Sequence, residues 1–487
     1  MAPISFPARL KQLADEAPDR VAVTCDGRQI TRAQLETRAD TLARHLRDLG
    51  VGEGDLVTMA LPNSIDWYVT ALALWKLGAT PQPVSYRLPA VELEAIIELA
   101  NPPLVIGTDA TPTSSRPLFK VSEWLRDNPA PSGDTEPLPD KISPAWKAPT
   151  SGGSTGRPKL IVSGDPAAMD PDAAPPLMTQ RDGCMVMPGP LYHNAPVVWT
   201  CQALLWGNHV VLLPRFDAHA TLAAIEEHRG DVVYVVPTMM KRIWRLPIDE
   251  REAYDLSSLR VVWHLAEPCP VWLKEAWIEW LGAEKIVELY AGTEAQMATI
   301  ITGPEWLAHR GSVGRVPPGQ VMITDEDGNE LPPGEMGEVW MRSARETPTY
   351  RYIGAQARQR DGGWESLGDT GYLDADGYLY LGDRLSDMIL SGGANVYPAE
   401  VEAALQEHPA VESCAVIGLP DDDLGNRVHA IVQANASTFD AEHVKSFLAE
   451  RLVRYKVPRT FELVSEPLRD DAGKVRRSEL RAQRIPN

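Results

Sequence analysis

The chain has 487 residues, with 47 basic and 67 acidic side chains and a formal net charge of −20. Its length predicts more than one domain with a well-buried core, and its average content of apolar residues (44%) and charged residues (23%) excludes disordered and fibrous classes. An acidic chain without a long basic run lacks the electrostatic footprint of a protein that binds nucleic acid or anionic membranes. We therefore expect neither partner.

The five cysteines are scattered and show no CxxC spacing. An odd number of cysteines in this pattern argues against a disulfide framework and against a structural zinc site. The N-terminal residues lack a continuous apolar core of signal-peptide length, and no apolar run approaches the roughly 18 residues of a spanning helix. The expected location is the cytoplasm.

The first hundred residues alternate between helical and strand patterns. Leucine and alanine residues recur at spacings of three and four after Thr31, a predicted N-cap, until Gly50 ends the helix. A strand is predicted at 55–61, a helix that ends at Gly78 follows, and another strand is predicted at 103–108. Strands and helices of the same kind are predicted at 209–214, 218–229, 231–237 and 274–282. This alternation indicates parallel sheets with helical crossovers.

The pattern changes after about residue 312. Two strand-like runs surround an Asp-Gly turn signal at Asp327, which predicts a β-rich subdomain over 312–385. The residues from 386 to 487 predict a compact α+β unit. The expected fold class is therefore α/β, with a large N-terminal domain (1–385) of stacked α/β sheets that includes the β-rich subdomain, and a smaller C-terminal domain (386–487).

A glycine- and hydroxyl-rich segment precedes Lys159. Its glycines permit close backbone approach, and its hydroxyls and backbone N–H groups can surround phosphate oxygens. The Gly-Lys-Ser/Thr ending of a Walker A loop is absent. A glycine-serine run alone would fit a flexible linker equally well, but the Arg-Pro-Lys ending favours a phosphate-binding loop. Its predicted ligand-binding residues are Ser151, Gly152, Gly153, Ser154, Thr155, Gly156 and Lys159.

This loop resembles the signature of the adenylate-forming superfamily, which contains acyl-CoA synthetases, luciferases and peptide-synthetase adenylation domains. The usual form is Thr-Ser-Gly-Ser/Thr-Thr-Gly-x-Pro-Lys, so Ser151 and Gly152 stand at the Thr-Ser positions and one hydroxyl is lost. Further motifs follow in the family's order over essentially the whole chain. The resemblance implies ATP, Mg²⁺ and CoA as ligands and a C-terminal domain that moves between two reaction steps.

Two further motifs resemble the family's nucleotide-binding elements. The first comprises Tyr290, Ala291, Gly292, Thr293 and Glu294, in which the resemblance implies that Thr293 contacts the α-phosphate and Glu294 holds Mg²⁺. Taken alone, Glu294 would fit a solvated glutamate at a helix end.

The second nucleotide motif lies around Asp369, in Gly-Asp-Thr-Gly, with Leu367 in place of the family's threonine. The resemblance implies that Asp369 accepts hydrogen bonds from both ribose hydroxyls and that Arg384 is a second nucleotide contact. Taken alone, Asp369 would be a turn aspartate.

The C-terminal motifs concern the acceptor and the catalytic lysine. Gly392 and Gly393 match the family's loop that approaches CoA, although a double glycine also fits a hairpin turn. Ser386 occupies the hinge position, where relatives commonly have Asp or Lys, and a hinge needs only to absorb a φ/ψ change. Lys474 follows Gly473 in an element that resembles the family's catalytic-lysine motif.

The acyl side is identified by two segments. Tyr192, His193 and Asn194 match the element beside the substrate carboxylate, and His193 replaces the aspartate that amino-acid-activating relatives carry, so an α-amino acid substrate is not expected. His193 alone would fit a hydrogen-bonded core histidine.

The segment His264-Leu-Ala266-Glu267-Pro-Cys-Pro resembles the branch associated with bile-acid, steroid and terpenoid acids, and 14 tryptophans suit a flat polycyclic ligand. This implies substrate contacts from His264, Ala266 and Glu267. Glu267 receives a substrate hydroxyl in this interpretation, or forms a salt bridge elsewhere.

The motifs together predict an AMP-forming acid–CoA ligase whose substrate is a bulky polycyclic carboxylic acid. The alternative is an adenylating enzyme that loads a fatty or aryl acid onto the pantetheine of a carrier protein. A ligand-binding protein without activity is disfavoured because Thr293, Glu294, Asp369, Arg384 and Lys474 are all present.

Overall fold

The computed structural model describes residues 3–111, 113, 115–128, 136–152, 158–384, 387–392, 394–436, 439–470 and 473–485. The expected class is confirmed, since parallel sheets with helical crossovers form the large N-terminal part and a smaller α+β domain follows. The predicted boundary between Leu385 and Ser386 lies outside the described residues.

An eight-stranded sheet forms the centre of the large part. Six adjacent strands run parallel, and an antiparallel strand closes each edge. In spatial order the strands are Ala298–Thr302, Ile286–Ala291, Val261–His264, Val232–Val235, Cys184–Met187, His209–Leu212, Val21–Cys25 and Arg28–Thr31. The central strands are apolar on both faces, as expected for a parallel sheet that is covered by helices on both sides.

A second, four-stranded parallel sheet lies beyond a fully buried helix. Helix Ile65–Lys76 contacts helix Arg32–Asp48, strand Val21–Cys25 of the first sheet and strand Thr80–Pro83 of the second. Because its whole surface is covered, this helix is mostly apolar, and its buried Lys76 pairs with Glu36. The strands of the second sheet are Thr80–Pro83, Leu56–Met59, Val105–Gly107 and Leu118–Lys120.

The predicted helix after Thr31 is confirmed together with its cap. The Thr31 hydroxyl accepts from the Gln34 N–H at 3.2 Å, and the Gln34 side chain accepts from the Thr31 N–H at 3.0 Å, which forms a capping box. The predicted helix at 274–282 begins earlier, at Val271, because Pro270 stands at its N-cap.

The part after Ser312 is an antiparallel sheet of seven strands, as the Asp-Gly turn signal indicates. Its members are Ser312–Arg315, Val321–Thr324, Gly337–Met341, Arg358–Arg360, Trp364–Ser366, Asp369–Leu373 and Tyr378–Arg384. A three-stranded sheet beside it joins Thr150–Gly152, Pro158–Ser163 and Tyr350–Ile353. Ile4–Ser5 pairs with Ala168–Met169.

The C-terminal domain has its own apolar core. Strands Ser413–Asp421, Gly425–Gln433 and Thr460–Val464 form a sheet that packs on helices Pro398–Glu407 and Ala441–Ala449. A hairpin of Ile389–Ser391 and Ala394–Val396 precedes them.

The remaining helices are Phe6–Glu16, Ala90–Ala100, Val121–Asp127, Asn194–Leu205, Ala218–His228, Pro237–Trp244, Ile248–Arg251, Val271–Leu281, Gly303–Ala308 and Arg477–Ala482, with a 3-10 turn at Ala283–Lys285. Within the part of the chain that the structure describes, no helix has both the length and the apolar character needed to cross a membrane.

Candidate active site

The segments of the predicted acyl residues and of the predicted metal ligand lie at one edge of the eight-stranded sheet. The segments that contain His193, Glu267 and Glu294 each follow the carboxyl end of a strand in the parallel set. Ligands of open α/β sheets bind at this edge, because the loops there meet above the strand ends.

Two alanines in these loops adopt left-handed backbone conformations. Ala266 has φ +74° and is exposed, and Ala295, directly after Glu294, has φ +54°. A non-glycine residue in this region costs about 1 kcal/mol or more. Thr349 helps to hold the second turn, since its hydroxyl donates to the Glu294 carbonyl at 2.7 Å. The surrounding structure therefore fixes both loops against their local preference.

Glu294 lies at the centre of a small charged cluster. Lys159 Nζ lies 3.3 Å from Glu294 Oε1 and donates to the Tyr352 hydroxyl at 2.8 Å, and that hydroxyl donates to the same carboxylate oxygen at 2.5 Å. Burial and the Glu294 charge raise the pKa of Tyr352, so its hydroxyl stays protonated. The structure thus joins the predicted metal ligand to the last residue of the predicted phosphate loop.

The rest of the phosphate loop is described only at its two ends. Ser151 pairs with Lys159 and Gly152 with Pro158 in an antiparallel hairpin. Gly153, Ser154, Thr155 and Gly156 lie outside the described residues, and their predicted phosphate contacts stay predictions.

The Tyr290 motif meets the Asp369 motif. The Tyr290 hydroxyl donates to Asp369 Oδ2 at 2.7 Å. Asp369 also stands opposite Arg384 in an antiparallel pair, so the backbone brings the two predicted nucleotide contacts together, while the Arg384 side chain lies outside the description. A Cβ at Gly292 would overlap the end of the Leu367 side chain, so Leu367 would have to shift to admit a larger residue there.

The predicted acyl residues begin at the N-terminus of helix Asn194–Leu205. His193 is its N-cap residue, and Tyr192 packs against the His193 ring at 4.7 Å between centroids and against Tyr86 at 6.5 Å. Asn194 accepts a hydrogen bond from Lys147 Nζ at 2.6 Å. Burial lowers the pKa of Lys147 to about 8. Sequence reasoning missed this lysine, because a single Lys between two apolar residues matches no motif.

His264 lies beneath the site and is fully buried. Lys274 Nζ is 2.6 Å from Glu288 Oε2, and His264 Nε2 is 3.9 Å from the same oxygen. Burial, aided by the Lys274 charge, lowers the pKa of His264 far below its ordinary value, so the ring is neutral. Neither ring nitrogen has a hydrogen-bond partner among the described residues. A contact with substrate stays a prediction for His264, as it does for the exposed Ala266.

Lys474 reaches the site on a turn of the C-terminal domain. Its backbone N–H donates to Asp470 Oδ1 at 2.9 Å, and the Asp470 N–H donates to the Lys474 carbonyl at 3.0 Å. Asp470 Oδ2 lies 4.0 Å from His193 Nε2, and Gly473 packs against Glu267. The structure therefore brings the predicted catalytic lysine to the segments that carry the predicted acyl residues, although they stand more than 200 positions earlier in the sequence.

Glu267 faces this turn rather than bulk solvent. Its Oε2 accepts from the Thr238 hydroxyl at 2.9 Å and lies 3.7 Å from Arg469 Nη1. Burial raises the pKa of Glu267 to about 7, and the Arg469 charge opposes that rise. Of the two interpretations that the sequence left open, the salt bridge has a partner here, while the contact with a substrate hydroxyl stays a prediction.

Gly392 of the predicted CoA loop lies at the turn between strands Ile389–Ser391 and Ala394–Val396. Gly392 has φ +56° and donates its N–H to the Leu424 carbonyl at 2.9 Å. Gly393 and the predicted hinge Ser386 lie outside the described residues. The hairpin interpretation is thus confirmed for Gly392, and the approach to CoA stays a prediction.

Comparison with known proteins decides the family. A family model described as AMP-binding enzyme matches residues 10–351, and one described as AMP-binding enzyme C-terminal domain matches residues 400–474. The chain belongs to the AMP-binding enzyme family. The resemblance to adenylate-forming enzymes is thereby confirmed.

Relatives of this AMP-binding enzyme match it over nearly its whole length. A feruloyl-CoA synthase of an Amycolatopsis species is 32% identical and covers 98% of this chain and 98% of that protein. The fatty acid–acyl-carrier-protein ligase ScoC of Streptomyces coeruleorubidus is 30% identical and covers 96% and 94%. The solved structure of o-succinylbenzoate CoA synthetase from Bacillus subtilis with its acyl-adenylate intermediate has a TM-score of 0.82 at 24% identity and covers 100% of both chains.

The names of these relatives agree with the predicted ligands, but they do not name the acids of the bile-acid, steroid and terpenoid branch. A second structure of the Bacillus subtilis synthetase contains ATP and a magnesium ion, and two of the three proteins are named for CoA. None of the three is named for a bile acid, steroid or terpenoid acid. The likeness is therefore shown for the family, and the narrower branch stays a prediction.

The buried Lys274–Glu288 pair gives this AMP-binding enzyme a stability test. Lys274→Met is expected to lower the free energy of unfolding by about 3–5 kcal/mol, because Glu288 is left buried without its cation. Urea unfolding followed by tryptophan fluorescence measures the change. Lys274→Met combined with Glu288→Leu should recover most of the loss. Lys11→Ala, which breaks the exposed Lys11–Asp15 pair, is the control, with an expected change of about 0–1 kcal/mol. An equal loss from both single lysine variants would contradict the prediction.

Proposed function

We propose that this AMP-binding enzyme is an acid–CoA ligase that converts a carboxylic acid, ATP and CoA into acyl-CoA, AMP and pyrophosphate. The observation that carries the proposal is the position of the Lys474 turn, which packs against Glu267 and lies beside His193. This arrangement suits the first of two steps, because a lysine cation is needed where charge develops on the phosphate oxygens.

In the first step a substrate carboxylate oxygen attacks the α-phosphorus of ATP. The bond from the α-phosphorus to the bridging oxygen breaks, and pyrophosphate leaves with that electron pair. Lys474, Thr293 and the 151–159 loop stabilise the charge on the phosphate oxygens in this proposal. His193 lies at the helix N-terminus beside the acyl carboxylate and orients it.

The nucleotide is held by residues that the fold brings together. Asp369 accepts from the ribose hydroxyls and is oriented by the Tyr290 hydroxyl, which already donates to it at 2.7 Å. Arg384 stands opposite Asp369 and supplies the second contact. Both assignments come from the motif resemblance and are supported by this pairing.

Glu294 suits Mg²⁺ as a single carboxylate ligand. Mg²⁺ in nucleotide sites usually takes one or two carboxylates, several waters and phosphate oxygens rather than a closed protein cage. Such a site needs no cluster of three protein ligands, and among the described residues no group of three His, Cys, Asp or Glu side chains is placed to hold a metal ion. When bound, the ion would neutralise charge on the leaving pyrophosphate.

In the second step the thiolate of CoA attacks the acyl carbon of the adenylate. A thioester bond forms, and AMP leaves with the electrons of the acyl–oxygen bond. The C-terminal domain turns about Ser386, carries Lys474 away and presents the Gly392–Gly393 loop to the pantetheine arm. The glycines suit this position because they leave room beside a narrow thiol passage.

The acid is proposed to be bulky and apolar, of the polycyclic class that the sequence predicts. Tyr192 packs on Tyr86 at the acyl side, and both rings are only half-buried, so aromatic surface is present in this region. The relative named for the feruloyl group supports a ring-containing acid. The proposed acyl contacts are completed by Asn194, His264 and Ala266.

A second candidate acceptor is the pantetheine thiol of a separate carrier protein. The relative named as a fatty acid–acyl-carrier-protein ligase supports it. Both acceptors present the same thiol, so the adenylation site is identical in the two proposals.

Pyrophosphate release is the experiment that tests the function. The protein is incubated with ATP, Mg²⁺ and a panel of aryl, fatty, steroid and diterpenoid acids, with and without CoA, and products are identified by mass spectrometry. A CoA thioester of one acid class supports the proposal and names the substrate. Adenylate without thioester would favour the carrier protein as acceptor. No pyrophosphate with any acid would overturn the proposed function.

A further inference from the structure

The Glu267 carboxyl lies at the contact between the two domains. On the side of the large domain, the Thr238 hydroxyl at the start of helix Pro237–Trp244 donates to Oε2 at 2.9 Å. On the side of the C-terminal domain, Arg469 Nη1 lies 3.7 Å from the same oxygen. One carboxyl therefore touches both domains.

The second carboxyl oxygen fits against the turn that carries Lys474. Gly473 has φ +79°, and an ideal Cβ at this position would overlap Glu267 Oε1. A side chain at position 473 would have to displace this carboxyl, and the positive φ favours glycine there in any case. The contact therefore sets the distance between the turn and the large domain at Gly473, the residue before the predicted catalytic lysine.

Arg469 links the carboxyl to the backbone of the same turn. Its Nη1 donates to the Gly473 carbonyl at 2.8 Å, and its Nη2 donates to Glu402 Oε2 at 3.2 Å. Glu402 is also held by Arg477 at 2.9 Å. The guanidinium that faces Glu267 is thus itself rigidly placed within the C-terminal domain.

The Glu267 carboxyl is expected to lower the stability of the fold at this buried position. Its side chain is 9% exposed, and Oε1 has no hydrogen-bond partner among the described residues. An incompletely paired buried carboxyl destabilises a fold by more than it contributes. A residue that served packing alone at this place would be apolar.

We propose that Glu267 is a positioning residue that holds the Gly473–Lys474 turn against the large domain for the adenylation step. This inference rests on the proposed function, and it gives Glu267 a role in the first step that does not require contact with substrate. The three atoms nearest to a Cβ built on Gly473 all belong to the Glu267 carboxyl group, whereas Asp470 of the same turn lies near His193. Glu267 is therefore the residue through which the large domain meets Gly473.

The test separates the two half-reactions. Adenylate formation is measured by pyrophosphate release without CoA, and thioester formation is measured from a supplied acyl-adenylate with CoA. Glu267→Ala is expected to slow adenylate formation by about 10–100-fold, because a displacement of about 1 Å at a catalytic group costs up to 10²-fold. Thioester formation should stay within about 2-fold of the wild type. Glu267→Gln keeps the shape and the Thr238 hydrogen bond and should stay within about 3-fold in both.

The same substitution in a Lys474→Ala protein tests whether Glu267 acts through Lys474. In a Lys474→Ala protein the turn has no cation left to position, so adding Glu267→Ala should cause no further loss of adenylate formation. The matched control is Glu92→Ala. It breaks the ion pair between Glu92 and Arg476, which also joins the two domains at 3.2 Å but does not touch Gly473. Loss of this exposed pair should change adenylate formation by less than about 2-fold.

Hydrogen exchange of the segment 469–476 measures docking of the turn without any turnover. Glu267→Ala should raise its exchange several-fold, and Glu92→Ala should not. Four results would overturn the inference. They are losses that add in the Lys474→Ala protein, an equal loss of both half-reactions, a change only in the preference between hydroxylated and deoxy acids, and unchanged hydrogen exchange of this segment. A wild-type protein that forms no adenylate would instead overturn the proposed function, and the exchange result would still decide the positioning role.

Discussion

Replacing Lys474 with alanine is expected to slow adenylate formation by about 10²–10³-fold, because one preorganised donor to developing negative charge is lost. Thioester formation from a supplied acyl-adenylate should stay within about 2-fold, since the proposed second step does not use this lysine. Rapid-quench measurement of pyrophosphate release, with the thioester assay run separately, gives both rates.

The control for Lys474 is another lysine of the same domain. Lys445 lies on the exposed face of helix Ala441–Ala449, 3.8 Å from Glu442, and Lys445→Ala should leave both half-reactions unchanged. A Lys474→Ala protein that loses both half-reactions equally would show that the lysine supports the fold or the thioester step. It would then not be the first-step cation.

Glu294→Gln is expected to slow adenylate formation by about 10²-fold and to raise the Mg²⁺ concentration needed for half-maximal rate. The amide keeps the shape of the side chain but removes the charge that suits a hard cation. Titration of the pyrophosphate-release rate with Mg²⁺ at saturating ATP measures both effects.

Tyr352→Phe is the matched variant for Glu294. It removes the hydroxyl that donates to Glu294 at 2.5 Å and accepts from Lys159, but it leaves the carboxylate in place. We expect a loss of at most about 10-fold and a nearly unchanged Mg²⁺ requirement. If Glu294→Gln left the Mg²⁺ titration unchanged, the carboxylate would be a partner of Lys159 and not a metal ligand.

Much of the fold follows from local patterns in the sequence. The capping box at Thr31 and the apolar period after it define a helix because each signal concerns neighbouring residues. The strand pattern at 231–237 and the helix ending before Gly78 are correct for the same reason. The start of the helix at Val271 was missed, because the apolar run before Lys274 also fits a loop after Pro270.

The site was predictable only where a motif marks it. Glu294 and Asp369 stand in short motifs, yet nothing local pairs Glu294 with Lys159, 135 positions away, or with Tyr352. Lys147 and Thr238 also contribute to the site, and neither of them lies in a motif. Lys147 contacts the acyl side and Thr238 the contact between the domains through packing between distant segments, which no local pattern in the sequence records.

The acyl side was the least predictable part. Binding of phosphate, ribose and metal requires the same kinds of protein group whatever the acid. An apolar pocket is instead shaped by many side chains that no short pattern records. The tryptophan content suggested a polycyclic ligand, but Trp67, Trp263 and Trp306 are fully buried packing residues.

Hydrogen bonds within the C-terminal domain hold the described residues of the turn that carries Lys474. Asp470 bonds to both backbone groups of Lys474, and Arg469 joins the Gly473 carbonyl to Glu402. In the proposed second step the domain rotates away, and we expect these bonds to travel with it while the contacts to the large domain break. A preformed turn would then re-dock in each cycle, so ordering of the backbone would not have to be repeated and the conformational entropy lost on closure would stay small.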